Sequence, residues 1–371
     1  MKFSIFLPTY NRINLLKHTI ESLRNQSYRN FEVYVYDRGS EPSAMQMIDA
    51  LSDNRFIYVS SSQKTHICDD AEAMLSTMKG EVFLFLADDD VLVPKALHIL
   101  CELFKQHQDI EFISSGYASY HFLDKKTLED RRYTGLLMFY SARSACYHFL
   151  CSWGIGARRK YLELPQAHCS LTFIKASLVV RTRLKQQELF LKSFGDIGYV
   201  GALANTERFL HVNIPLGVIG AGHQRETDGI VDRFKHEKEM KYIEHVKNRS
   251  VCCFENIGLD THLKVIYRNR LEQEYPPFVR PQAYRRQLKR ILKDSPKTVK
   301  TWRDAIITVG CFLDSLLGYF PKILFQYKTP FNSSKCLSGF DEIVLKRQQY
   351  STILDVATDI NSSISEKGQV V

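Results

Sequence analysis

Through its first ninety residues the chain alternates between two hydrophobic periods. Phe3–Leu7 (FSIFL) is a short apolar run closed by Pro8, and Ile13–Asn25 then repeats Leu15, Leu16, Ile20 and Leu23 at helical spacing. Phe31–Tyr36 (FEVYVY), Phe56–Val59 and Val82–Leu86 (VFLFL) read as further strands. Helices over Ala44–Leu51 and Asp70–Met78 separate them, and Val93–His107 returns to helical spacing. Strands alternating with helices predict an α/β fold with a mostly parallel sheet and helices on both faces, and such sheets bind ligands outside the carboxyl ends of their strands. Farther along, the pattern predicts a strand over Glu111–Tyr120, a helix over Ser141–Ser152, the end of a strand at Leu178–Arg181, a helix over Asp196–Ala204 and a last strand at Leu216–Ile219. Gln349–Val371 is polar and Ser-rich and reads as a frayed tail.

Composition narrows the class. With 44% hydrophobic and 25% charged residues among 371, disordered and fibrous readings fail. The nine cysteines are scattered without a C-x-x-C pair, so a disulfide framework or structural zinc is not expected, and a reducing cytoplasm is. The start, MKFSIFLPTYNR, has too short an apolar run for a signal peptide, and Ala305–Tyr327 carries Asp314, Pro321 and Lys322, so no transmembrane helix is predicted. The net charge of +9 is concentrated: Arg233–Arg303 holds 18 Lys/Arg against 8 Asp/Glu. The expected organisation is an α/β domain over 1–225, a basic, mainly helical appendage over 226–330 and a polar tail over 331–371.

The chemistry is expected just after each strand. Pro8, Thr9, Tyr10, Asn11 and Arg12 form a polar turn bearing a cation, able either to hold a nucleotide or, through Asn11 or Asn14, to cap the helix. Asp37 opens the turn DRGS, where an acid can accept hydrogen bonds from a ribose or base. The strongest signal is LADDDVLVP. Asp88, Asp89 and Asp90 follow an apolar strand and repel one another unless a cation is present, for which oxygen-ligated Mg²⁺ or Mn²⁺ is the natural partner. If the segment stays extended, Asp88 and Asp90 point the same way.

Taken together, PTYNR, DRGS and KGEVFLFLADDD, in this order and spacing over residues 1–225, resemble the family 2 glycosyltransferases of the GT-A fold. DDAEAMLSTMKGEVFLFLADDD is similar to the branch that builds bacterial surface polysaccharides such as O-antigen or capsule. The resemblance implies a GT-A Rossmann-like sheet and transfer of a sugar from a nucleotide-sugar, with a UDP-sugar the first expectation, to a glycan or polyprenyl-linked acceptor. It implies donor contacts from Pro8, Thr9, Tyr10, Asn11, Arg12, Asp37, Asp70, Asp88 and Asp89, and Mn²⁺ or Mg²⁺ on Asp90 with Asp88 or His223. It further implies Arg225 as a phosphate contact, and Asp196, in FGDIGYVGALA, as the base of an inverting reaction. Asp37 stands alone where many relatives have paired acids, and Asp69, Asp70 and Glu72 stand where many have Arg-Asn.

The basic segment admits two main readings. YRRQLKRILK, Tyr284–Lys293, is an amphipathic basic helix candidate ahead of the apolar Ala305–Tyr327, which suits a protein resting peripherally on an anionic inner membrane face. The other reading is a helical appendage packed on the catalytic domain. No recognisable nucleic-acid motif accompanies the charge, so no nucleic-acid partner is expected. Two rival functions are a nucleotidyltransferase acting on a sugar phosphate, which would want a glycine-rich loop where PTYNR stands, and a non-catalytic carbohydrate-binding scaffold, which would not need three aspartates.

Overall fold

The unbroken apolar runs become buried strands in the computed structural model, which describes residues 1–61, 66–128, 130–143, 145–146, 168–192, 199–222, 244, 254–271, 309, 331–336 and 342–366. Among these, β1 (Phe3–Thr9), β2 (Phe31–Asp37), β3 (Phe56–Ser60) and β4 (Val82–Phe85) form the parallel array β3-β2-β1-β4. Every residue of β1 and β2 is buried, as expected of a sheet covered on both faces. Alternation along β1 decides which face each side chain serves: Phe3, Ile5 and Leu7 join one core and Phe6 the other. The first core takes in α1 (Ile13–Arg24), through Leu16, Ile20 and Leu23, then Ile48 from α2 (Met45–Ala50). The second takes in Met74 and Leu75 from α3 (Ile67–Thr77).

Beyond β4 come β5 (Val91–Leu92), α4 (Ala96–Gln106), β6 (Phe112–His121), β7 (Lys126–Thr127), β8 (Arg131–Tyr133) and β9 (Leu136–Ser141). They are followed by β10 (Thr172–Lys175), α5 (Ala176–Gln186), β11 (Arg208–Ala221), α6 (Phe254–Arg268), β12 (Phe331–Cys336), β13 (Ile343–Leu345) and α7 (Ile353–Glu366). β10 enters antiparallel between β4 and β6, and β11 lies parallel to β6 along its length, with register shifts on either side of Pro215. A proline lacks the amide that a regular ladder needs there. β9 and β12 continue the sheet antiparallel, β5 pairs with β11, and β13 pairs with β8 apart from the main sheet. The sheet is thus mixed at one side and parallel where the expected site lies.

Two expectations are corrected and one strand proves longer than expected. Leu178–Arg181 is not a strand end but part of α5: Leu178, Val179, Thr182 and Gln186 form a buried helical stripe, and packing overrides the β preference of the paired valines. The strand expected at Leu216–Ile219 runs from Arg208, and the segment before the helix expected from Ser141 is strand β9. The polar tail is not frayed over Ile353–Glu366. There Ile353, Val356, Ala357, Ile360 and Ile364 are buried in the first core, packing α7 on α1, β5 and β11. Serines on the outer face of α7 hide this periodicity from composition. The basic candidate helix Tyr284–Lys293 lies outside the described residues, as does all of Ala305–Tyr327 but Val309. No helix among the described residues is long and apolar enough to cross a membrane.

Candidate functional site

The carboxyl ends of β1, β2 and β4 open into a cavity of about 250 Å³. Of the residues expected at the site, Pro8, Thr9, Tyr10, Arg12, Asp88, Asp89 and Asp90 line it together. Its further walls come from Arg38, Ile67, Phe85, His168, Cys169 and Gly220 among others.

The three aspartates do not continue β4. They form a tight turn in which the Asp90 amide donates to the Ala87 carbonyl, so the extended arrangement that would align Asp88 with Asp90 is replaced by a bend. Thr19 Oγ1 on α1 donates to the Asp88 carbonyl at 2.9 Å, fixing the turn from below. On its far side the Gly220 amide donates to Asp90 Oδ1 at 2.9 Å. A Cβ at position 220 would sit 2.3 Å from the Asp89 carbonyl oxygen, so only glycine lets β11 approach this closely.

All three carboxylates are buried. Asp88 accepts from Thr9 Oγ1 at 2.8 Å and from Arg12 Nη1 at 3.1 Å, while Arg12 Nη1 stands 3.9 Å from Asp89 Oδ2. Burial pushes the Asp88 carboxyl up to about 6; Arg12 opposes this, and the neighbouring charge of Asp89 adds to it. Negative charge is therefore costly here with Arg12 as the counter-ion, a setting that an added cation relieves. Among the described residues no group of three or more His, Cys, Asp or Glu side chains is arranged to hold a metal. The aspartates suit Mg²⁺ or Mn²⁺ in kind, since hard cations take oxygen ligands, and a full ligand set would need further oxygens.

Other expected residues have different surroundings. Asn11 adopts φ 52°, which asparagine tolerates; its amide donates to Ser40 Oγ and its Oδ1 accepts from the Glu41 amide, so it ties two loops together instead of capping α1. α1 has no side-chain cap. Asp37 accepts from the Ser40 and Ala44 amides, each at 2.8 Å, and from the Ser43 and Tyr58 hydroxyls. Burial alone would raise its pKa, yet these hydrogen bonds hold it below the usual carboxylate value. Its carboxylate organises its own loop and does not line the cavity. Asp70 lies behind the wall, bonded to Arg38 Nε at 3.1 Å and to Ser61 Oγ at 2.6 Å. Asp196, His223 and Arg225 lie outside the described residues.

Sequence reasoning missed Arg38, His168 and Cys169. Arg38 was legible in principle, because it sits one position past Asp37 at a strand end. His168 and Cys169 precede β10, an antiparallel insertion between β4 and β6 that no local periodicity announces.

Residues 4–165 match the profile of the family described as glycosyl transferase family 2. Among curated proteins, a GalNAc(5)-diNAcBac-PP-undecaprenol beta-1,3-glucosyltransferase of Campylobacter jejuni is 32% identical over 104 residues, covering 27% of this chain and 34% of the relative. A putative colanic acid biosynthesis glycosyl transferase of Escherichia coli K12 is 30% identical over 98 residues, covering 26% and 35%. The matched stretch thus spans about a third of each relative's length. Among solved structures, S. aureus TarS 1-349 in complex with UDP-GlcNAc aligns at 14% identity and a TM-score of 0.48, over 90% of this chain and 99% of that one. Strand-end motifs, buried aspartates and the match to the glycosyl transferase family 2 profile thus fall on the same segment, residues 4–165.

Proposed function

We propose that this chain transfers a sugar from a nucleoside-diphosphate sugar, UDP-sugars first among them, to a hydroxyl of a glycan or lipid-linked acceptor in cell-surface polysaccharide synthesis. The observation that carries the reading is the Asp88–Asp90 turn: three buried carboxylates with Thr9 and Arg12 on one wall of a cavity at the ends of three parallel strands. The acceptor class leans on the Campylobacter relative, whose name specifies an undecaprenol-linked glycan.

In this reading Pro8–Arg12, Asp88 and Asp89 shape the donor site, and Asp90 and Asp88, with His223, hold Mn²⁺ or Mg²⁺. When bound, the cation supplies Lewis-acid neutralisation of charge on the departing diphosphate. Arg225 adds a phosphate contact. Asp196 takes the proton from the acceptor hydroxyl as it attacks the anomeric carbon on the face opposite the leaving group, which inverts that centre. Thr9 and Thr19 keep the Asp88 turn in place throughout.

The test is a thermal-shift panel of nucleoside diphosphates with and without Mn²⁺, followed by a donor screen scored on release of the diphosphate. Wild type should be stabilised by a diphosphate in a Mn²⁺-dependent way, and Asp90→Ala should lose both that shift and turnover while remaining folded. Equal Mn²⁺-dependent binding by wild type and Asp90→Ala would overturn the assignment of Asp90.

A further inference from the structure

Helix α6 lies far along the chain from the aspartate turn, yet buried polar side chains tie it to the elements that back the cavity. Gln186 at the end of α5, Asn205 at the end of the 3-10 turn Tyr199–Asn205 and Asn269 just past α6 are all buried. Asn205 Nδ2 donates to Asn269 Oδ1 and Asn269 Nδ2 donates to Gln186 Oε1, each at 2.8 Å. Arg268 Nη1 donates to the Gln186 carbonyl, also at 2.8 Å. The end of α6 is therefore fixed on the end of α5.

One turn earlier on α6 sits a charged pair with almost no access to water. Lys264 is 2% exposed and Asp260 0%. Lys264 Nζ lies 3.2 Å from Asp260 Oδ2 and 3.4 Å from Glu244 Oε1, and it donates to the Lys192 carbonyl at 3.3 Å. Such a pair adds little to stability, because desolvating two charges offsets most of their attraction. It does supply direction: a buried ammonium that meets both a carbonyl and a carboxylate fixes the register of α6 against residues 189–192. Those residues back the cavity. The Phe190 ring packs on Phe85 with centroids 5.9 Å apart, and Phe85 lines the cavity just before the aspartates. The Leu191 carbonyl accepts from Cys68 Sγ at 3.6 Å and Lys192 pairs with Asp69 at 2.6 Å, beside Ile67, which lines the cavity too.

From these contacts we infer that Lys264, paired with Asp260, is a positioning residue for the donor cavity: it holds 189–192 against Phe85 and the first turn of α3, so that α6 and the diphosphate site respond to each other. The inference rests on the transferase reading above, which puts the diphosphate in that cavity. Two features set the pair apart from plain packing. An apolar helix face would bury as much surface without two charges, and the Lys264 contact is made to main chain, whose path sets where Phe190 stands. Coupling of this kind is reciprocal: what displaces α6 weakens donor binding, and donor binding steadies α6 in return.

The experiment compares wild type with Lys264→Met/Asp260→Asn, which removes both charges, keeps the volume and leaves an acceptor for the Glu244 amide that Asp260 Oδ1 serves at 3.0 Å. UDP, CDP, GDP and ADP are titrated calorimetrically, each with Mn²⁺, and unliganded melting temperatures report folding. The melting temperature should change little, as is common when a buried ion pair is replaced by uncharged residues of similar volume. The tightest of the four diphosphates should nevertheless bind about 2- to 30-fold more weakly, the range for substitutions that act on a site through intervening packing. Its Mn²⁺ requirement should persist, since the aspartates are untouched. Hydrogen exchange gives the reciprocal readout: in wild type the bound diphosphate should slow exchange at residues 264–268 as well as at 67–70, and the gain at 264–268 should vanish in the double variant. Unchanged affinity in a folded double variant would overturn the inference. If the double variant does not fold, exchange in wild type decides, and no slowing at 264–268 on binding overturns the inference. Both outcomes leave the transferase reading intact. Failure of wild type to bind any of the four diphosphates overturns that reading and this inference together.

Discussion

A Cβ on Gly220 would meet the carbonyl of Asp89 before it met any side chain, so no rotamer change can make room for it. Gly220→Ala should push β11 away from the aspartate turn, lengthen the bond from the Gly220 amide to Asp90, and cost about 1–3 kcal/mol, as overpacking typically does. The expected result is a lower melting temperature together with weaker Mn²⁺-dependent diphosphate binding. A fall in stability with unchanged binding would show that the turn holds its shape without β11. His211 offers a separate test. Its ring is buried with Nδ1 3.0 Å from Ser114 Oγ, and burial pushes its pKa down to about 3. Because the folded pKa lies below the unfolded value, the unfolded chain binds the extra proton as pH falls below the ordinary imidazole value of 6.5. Stability from this group is therefore full above that pH and is lost on acidification toward the folded pKa, by about 3 kcal/mol between pH 6.5 and 4. Denaturant unfolding across that range should show a shallower decline for His211→Asn than for wild type. Parallel declines would mean that the buried imidazole charges with little penalty.

At the scale of elements, α3 clamps the loop that leads from α5 toward Asp196. Glu72 accepts from the Leu189 and Phe190 amides at 2.6 and 2.9 Å and pairs with Arg183 at 2.9 Å, while Lys192 pairs with Asp69 at 2.6 Å. Burial raises the Glu72 pKa, against these bonds, so the site needs all its partners to keep the charge. Glu72→Ala would strand two amides and an arginine and should cost about 2–4 kcal/mol. Glu72→Gln, which keeps one acceptor, should cost less. Hydrogen exchange at Leu189 and Phe190 is the direct readout, and protection unchanged in Glu72→Ala would refute the clamp. Much of the parallel half of the fold was legible, because doubly covered strands are unbroken apolar runs that end where chemistry begins, at Pro8, Asp37 and Asp88. The cavity's basic end was not, because Arg38 becomes meaningful only when Asp70, from a different element, is found behind it. β9, β12 and β13 were missed for a related reason: their partners are distant in sequence, and α5 outvotes the strand preference of Val179 and Val180 only through the contacts it makes.

At the scale of the molecule, the stretch after Phe331 returns to the amino-terminal sheet. β12 pairs with β9, β13 with β8, the Thr127 and Tyr350 amides bond across the same junction, and α7 buries five apolar side chains against α1, β5 and β11. At about 1.5–3 kcal/mol for each large side chain, the contribution of α7 rivals the whole margin of stability of a typical protein. A chain stopped after residue 341 should therefore fail to give a cooperative melting transition, and Ile360→Asp in the full chain should show the same defect in milder form. Normal melting of the shortened chain would make α7 an ornament. The packing of α7 also sets a timetable. A ribosome delivers the Asp88–Asp90 turn early, yet β5, which directly follows that turn, waits for a helix encoded more than two hundred codons later before its outer surface is covered. Until then the nascent chain carries exposed apolar surface beside its acidic turn. A message cut short anywhere in that interval should yield a product with this apolar surface uncovered and open to proteolysis.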